Sequence, residues 1–299
     1  MPVIAAKKPK PTQFQVRFGP SVGKADDFWV LAYCPEQDEL EREENPDHTQ
    51  FTYVLRYRLP ERTLVGRYPA RLDGLWQRSD GTLWAVGDTL GYVEISAAGM
   101  TEIALDPVPG QFSSIWGLDD DHVFTCGIEE PFAYYYLNGK WNQLPLPEGT
   151  ENVSDVRAFG PDDAYFVGDE GQIHHFDGRT VSRVKAPVRR HLTAIVRLDD
   201  KRLCIGGYQG TLMVGSLGAW RHQVTNTTDP LLALAALDGH AYYGADEKVW
   251  VTDGVQPPTV AIDFAARWVS GLVDGLVLSH EEEAKLYAAG MLTDLDLSI

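Results

Sequence analysis

Residues 76–95 read WQRSDGTLWAVGDTLGYVEI, and the fold turns on this stretch. Apolar residues run or alternate on either side of turn residues. That spells a strand, a turn at Asp80-Gly81, a second strand closing on Gly87, a short loop and a third strand. The same grammar recurs at 116–136, 156–176 and 195–214, and more faintly at 234–251 and 269–287.

Two glycine series set the register. The first follows each second strand: Gly87, Gly127, Gly168, Gly207 and Gly244, with Ser279 in the sixth place, at spacings of 40, 41, 39, 37 and 35. The second stands before each fourth strand: Gly99, Gly139, Gly178, Gly218, Gly254 and Gly290, at spacings of 40, 39, 40, 36 and 36. Glycine suits both places because tight turns between strands call for φ > 0. An aspartate marks each first hairpin: Asp80, Asp120, Asp162, Asp200, Asp238 and Asp274. Aspartate there is turn chemistry, its side chain capping the local backbone, so the run Asp119-Asp120-Asp121 is a turn rather than a metal site.

Residues 14–18, 28–34, 51–59 and 63–68 supply a more divergent unit. The sum is an all-β, seven-bladed β-propeller of four-stranded antiparallel blades, with six blades plus an N-terminal extension as the alternative. A tail at 1–12 precedes a single domain at 13–299. Blade 1 covers about 13–70, and repeats start near 71, 112, 153, 192, 231 and 266. No helix of ordinary length is visible; the best candidate, 281–289, falls in register as a loop plus a third strand.

WAVGD at 84–88, GYV at 91–93 and FVGDEGQIHHFDG at 166–178 resemble the repeats of the sialidase-like and photosystem II assembly factor-like propellers. The likeness covers 71–220 well and the remainder loosely. It implies the propeller architecture and says little about activity. Sialidases carry Asp-boxes of the form S-x-D-x-G-x-T-W, whereas SDGTLW at 79–84 has another spacing and lies in the first hairpin.

Composition narrows the role. With 43 Asp/Glu against 26 Lys/Arg the formal net charge is −17, which disfavours nucleic acid and acidic membrane surfaces as partners and suits a basic protein. Three scattered cysteines, Cys34, Cys126 and Cys204, argue against a disulfide framework or zinc site and for a reducing compartment. The N-terminus has too short an apolar run for a signal peptide. A cytoplasmic protein, monomeric on its own, is expected.

In a propeller, the loops between second and third strands share one face with the connections between blades. Those seven loops hold 17 of the 43 acids, among them Glu39, Glu43, Glu44, Asp88, Glu129, Glu130, Asp169, Glu170, Asp246, Glu247 and Glu282. Arg42, Lys248 and Lys285 are the cations set against them. The blade-five loop has none, only Tyr208-Gln209. Tyr208 and Phe132 are the candidate apolar anchors for a partner. The alternative for the acids is plain solvation. The insertion at 34–50 is either a clamp over this face or a disordered loop. His174-His175 would point to opposite sides of a strand and cannot chelate one metal together. Arg189-Arg190-His191 is the one basic spot, expected to pair with nearby acids.

No Gly-x-Ser-x-Gly elbow, HExxH, P-loop or dinucleotide motif occurs, and the acidic loops are poor in sugar-stacking aromatics. No catalytic residue, metal or cofactor is therefore expected. The favoured role is a non-catalytic propeller presenting an acidic face to a basic protein, most concretely a bacterial immunity protein, or antitoxin, that covers a toxin. An assembly factor and a carbohydrate-active, sialidase-like enzyme are the alternatives.

Overall fold

The computed structural model describes residues 17–44, 50–217, 219–281 and 283–298; the tail expected at 1–12 lies outside them. The described residues form seven four-stranded antiparallel sheets, each built of consecutive strands. The blades span 17–68, 72–104, 111–143, 153–184, 192–222, 235–262 and 268–294.

Burial falls from the inner strands to the outer. Every residue of the second strands Leu83–Gly87 and Leu203–Gly207 is buried, whereas the fourth strand Met291–Asp294 is exposed throughout. Second strands therefore read as unbroken apolar runs and fourth strands barely read at all. Seven apolar clusters fill the seven junctions between neighbouring blades. Trp76, Trp84 and Tyr92 of blade 2, for instance, pack with Phe112, Val123 and Tyr134 of blade 3.

Among the described residues, blade 7 closes onto blade 1 without exchanging a strand. Phe18, Phe28 and Tyr57 of blade 1 share a core with Leu272, Val277 and Leu286 of blade 7 and with Leu295 and Leu297 beyond it. Hydrogen bonds run across the seam. Ser21 N–H donates to Ser270 Oγ (2.9 Å), Ala25 N–H to Asp274 Oδ1 (2.7 Å), and the Tyr57 hydroxyl to the Asp296 carbonyl (2.5 Å).

The two glycine series have different causes. Gly99, Gly139, Gly178, Gly254 and Gly290 do have φ between 74° and 126°, as the turn argument requires. The first series is held by crowding instead. A Cβ would come within 2.2 Å of the Arg71 carbonyl oxygen at Gly87, 2.3 Å of Gln111 O at Gly127, 1.9 Å of Asn152 O at Gly168, 2.3 Å of His191 O at Gly207 and 1.8 Å of Ala266 O at Gly244. These five second strands end against the chain entering a first strand, and no side chain fits between them.

The hairpin aspartates also do more than cap locally. Asp80 accepts from Thr82 N–H (2.8 Å) as expected, and in blade 5 Asp199, rather than Asp200, caps the turn through the N–H groups of Lys201 and Arg202 (both 2.8 Å). Asp120 instead reaches the preceding blade and accepts from Ser79 N–H (2.9 Å), as Asp274 does across the seam. On the inner strands, buried Asp155 binds three blades together. It accepts from the Ser114 hydroxyl (2.6 Å) of blade 3 and from Ile195 N–H (2.9 Å) of blade 5.

One expectation is overturned. Residues Pro35–Glu44 form a helix of 10 residues between the second and third strands of blade 1. Its sequence, PEQDELEREE, has one apolar residue and no amphipathic stripe, so periodicity gave no signal. The helix is held by polar contacts. The Tyr53 hydroxyl donates to Gln37 Oε1 (2.6 Å), and Arg67 pairs with Glu41 (3.1 Å) while stacking over Phe51 (3.7 Å).

All three cysteines are buried and free; burial pushes the Cys204 thiol up to about 12 and holds Cys126 still further above its ordinary value. His174 and His175 part company as expected. His175 pairs with Asp163 (2.7 Å), while His174 is buried with only Gln172 Oε1 (3.2 Å) as acceptor.

Burial, with a smaller contribution from Arg183, lowers the His174 pKa to about 4. The unfolded chain then binds a proton at about 6.5 that the folded protein refuses. Stability should be unaffected above that pH and fall by roughly 3 kcal/mol as pH drops from 6.5 to 4. Urea midpoints across this range should show the decline in wild type and a shallower one in His174→Phe. Gly168→Ala should cost about 2–3 kcal/mol, read in the same denaturation assay at pH 7.5; a loss below 0.5 kcal/mol would contradict the crowding account.

Candidate functional site

Backbone hydrogen bonds place the second-to-third loops beside the interblade connections. Asp88 N–H donates to Arg71 O (2.8 Å), Asp169 N–H to Asn152 O (3.0 Å) and Tyr208 N–H to His191 O (2.9 Å). These are the carbonyls, or the neighbours of those, that crowd the marker glycines. The closeness forced by glycine is what seats the acidic loops on one face.

From blade 3 to blade 5 the loops are wired together. Glu129 N–H donates to Asn152 Oδ1 (2.8 Å), and Asn152 Nδ2 donates to Asp169 Oδ2 (3.0 Å). Asp169 Oδ1 meets His191 Nδ1 (2.6 Å), and the His191 ring stands edge-on to Tyr208 with centroids 5.2 Å apart. The pairing expected for Arg189-Arg190-His191 is therefore made by His191. Arg190 donates to the Gln209 carbonyl (3.4 Å).

Glu39, Asp88, Glu129, Glu130, Glu170, Asp246 and Glu247 are exposed on these loops and on the helix; Asp169 is half-buried in the relay. Glu43 and Glu44 close the helix, and Glu282 lies outside the described residues. Asp38, within the helix, is buried and accepts from Phe51 N–H (3.4 Å). Among the described residues, three arginines meet acids of the helix and of the blade 7 loop. Arg67 takes Glu41, and Arg17 (3.9 Å) and Arg267 (3.8 Å) flank Glu281, whereas Lys285 pairs with Asp294 on the adjacent strand.

Phe132 is a correction. It is 1% exposed, packed edge-on against Phe112 at 4.9 Å, and cannot meet a partner as an anchor. It opens the third strand of blade 3, where the residue after the loop already turns inward. Tyr208 stands 46% exposed, as an anchor should. Two further apolar residues on this face escaped notice: Leu90 at 69% and Val224 at 65% exposure. An apolar residue inside a turn, as in Asp88-Thr89-Leu90-Gly91, was the signal available for the first; nothing marked the second.

The acids also occupy unusual backbone. Glu129 (φ 71°), Glu170 (56°), Asp246 (49°) and Glu247 (57°) all lie in the left-handed region, as does Gln209 (55°). That region favours glycine and, among other residues, asparagine and aspartate. Three glutamates there are a costly choice if only a turn is needed.

A cleft of about 270 Å³ opens on this face between blades 6 and 7, lined by Leu232, Ala245, Glu247, Ala266, Arg267 and His280. A wider one, about 540 Å³, lies at the hairpins of blades 2 and 3, but its acids Asp119 and Asp120 are engaged by His122 and Ser79. Asp73, at the head of blade 2, has its pKa raised, chiefly by burial, with Arg71 (2.7 Å) opposing. Among the described residues, no group of three or more His, Cys, Asp or Glu side chains is arranged to hold a metal. No helix there is long and apolar enough to cross a membrane.

No protein-family model matches the chain. A stretch of 143 residues, 45% of this chain, is 27% identical to the immune protein Tsi7 of Pseudomonas aeruginosa. The match spans 47% of that relative's length, about half of it. Among solved structures, the virginiamycin B lyase from Staphylococcus aureus superposes with a TM-score of 0.72 at 14% identity, over 92% of this chain and 96% of that one. YCF48 bound to a D1 peptide superposes at 0.67 and 14% identity, over 97% and 99%. The WD40 β-propeller domain of Doa1 does so at 0.69 and 12%, over 92% and 93%. At such identities these likenesses show the fold, a β-propeller shared by lyases, WD40 domains and the assembly-factor-like propellers that the repeats resemble.

Proposed function

We propose that the protein is a non-catalytic binding propeller whose acidic face covers a basic protein, and that it serves as an immunity protein, or antitoxin, in a bacterial cytoplasm. The observation that carries this reading is the placing of Glu129, Glu170 and Glu247 in left-handed backbone. Acids kept where glycine is the easier choice indicate a demand on their charge. The partial identity to an immune protein supports the role, and the YCF48–peptide complex is a precedent for a peptide on this fold. Three buried thiols with no disulfide suit a reducing compartment.

A catalytic reading has one observation in its favour: Asp73, a desolvated carboxyl at the head of an inner strand, as a general acid would be. Its ion pair with Arg71 fits a fixed structural carboxylate better than one that gives up a proton.

Exposed charges steer association and are screened by salt. The partner captured on the protein from its host should associate fast at low ionic strength and about 10–100-fold more slowly at high salt. Reversing Glu129, Glu130, Glu170 and Glu247 to Lys should slow association at low salt by at least about tenfold without unfolding the protein. Asp169 is best left intact, since the relay needs it. Association at the wild-type rate would reduce the face to a solvated surface.

The backbone argument has its own test. Glu129→Gly, Glu170→Gly and Glu247→Gly should each leave stability unchanged or raise it by up to about 1 kcal/mol, while weakening partner binding. Loss of stability on all three would remove the case for a functional demand.

A further inference from the structure

The acid-free gap in the ring carries two of the three exposed apolar residues named on this face. Blade 5 presents Tyr208 at 46% and Val224 at 65% exposure, and no acid between second and third strands. The two stand at the same end of the blade. Gln223 N–H donates to Leu212 O (2.8 Å) and the Thr225 hydroxyl to Gly210 O (2.8 Å), so Val224 extends the outer strand alongside the Tyr208–Gly210 turn.

The turn is braced from behind. Tyr208 N–H is bonded to His191 O, the His191 ring meets the phenol edge-on, and Arg190 donates to Gln209 O. A braced aromatic loses little freedom on binding, which is what an interface anchor requires. Acids flank it on both sides along the ring: Asp169 and Glu170 on blade 4, and Asp229, Asp246 and Glu247 across blades 5 and 6. Arg189 and Arg190, in the connection entering blade 5, lie between blades 4 and 5: Arg189 backs onto Gly171 of blade 4 and Arg190 is held by the Gln209 carbonyl.

We infer that the top of blade 5 is the centre of the interface, where Tyr208 and Val224 receive an apolar side chain of the partner. Lysines or arginines on either side of that residue reach the acids of blades 4 and 6. This rests on the acidic-face reading above and adds to it a position and a sequence pattern: an apolar residue between basic ones. Burying an apolar side chain on such a centre, inside a rim that excludes water, gives the slow dissociation that long-range charge alone does not.

The probe is a pair of short lysine-rich peptides, identical but for a central leucine in one and serine in the other, titrated against the full protein by fluorescence anisotropy. Wild type should bind the leucine peptide about fivefold to tenfold more tightly than its twin. Tyr208→Ala and Val224→Ser should each bring that preference below about twofold while leaving the salt dependence of both peptides unchanged. Leu90→Ser, on blade 2, should leave the preference intact, and thermal melts should show all three variants folded. If the preference is absent in wild type, or survives Tyr208→Ala, while binding remains strongly salt-dependent, the centre lies elsewhere and the acidic-face reading stands. If neither peptide binds wild type, or binding ignores salt, the acidic face itself fails and this inference with it.

Discussion

A four-stranded sheet with two apolar faces cannot stand alone in water, and everything else in this molecule follows from how those faces are covered. Each blade is sealed by its two neighbours, through seven separate cores at seven junctions. A ring is the arrangement that leaves no apolar face open. Crowding near the axis is its price, and glycine at or next to the end of the second strand is how five of the seven blades meet it. The loops that follow are thereby pressed against the interblade connections. Their acids become a surface of fixed geometry instead of a set of independent tethers.

That rigidity distinguishes the face from a merely charged one. The relay from Glu129 through Asn152, Asp169 and His191 to Tyr208 crosses three blades. A charge pattern on scattered mobile loops would steer a partner but would not select one. Held in register, the same acids can discriminate by spacing as well as sign.

The ring was legible because its constraints are local and repeated. A close carbonyl demands glycine, a positive φ demands glycine, and a hairpin favours aspartate, so each blade writes the same marks at the same interval. The helix Pro35–Glu44 was illegible for the opposite reason: it rests on a handful of polar contacts, Gln37 to Tyr53 and Glu41 to Arg67, that leave no periodicity in the sequence. Phe132 misled because a loop position and the first residue of a strand are neighbours in sequence yet face opposite environments. The arginines that flank some of the acids went unread for a related reason. Arg67, Arg17 and Arg267 come from other strands and connections, and only the fold brings them to the face. Leu90 and Val224 lay in loops, where the packing that explains an apolar residue is absent and no pattern separates chance from use.

The seam between the first and last blades has a consequence for how the chain is made. Blade 1 leaves the ribosome first, and one flank of it, Phe18, Phe28 and Tyr57, has no cover until Leu272, Leu286, Leu295 and Leu297 have been synthesised more than two hundred residues later. Among the described residues no strand is exchanged between the ends to tether the open arc in the meantime. The nascent protein is thus a growing curved stack with an unprotected apolar end at each tip. Translation of the final few codons of blade 7 and of the segment that follows it converts that stack into a sealed circle. An interruption there leaves a chain with almost all of its blades built and the core of its seam facing the cell, a substrate for chaperones and proteases.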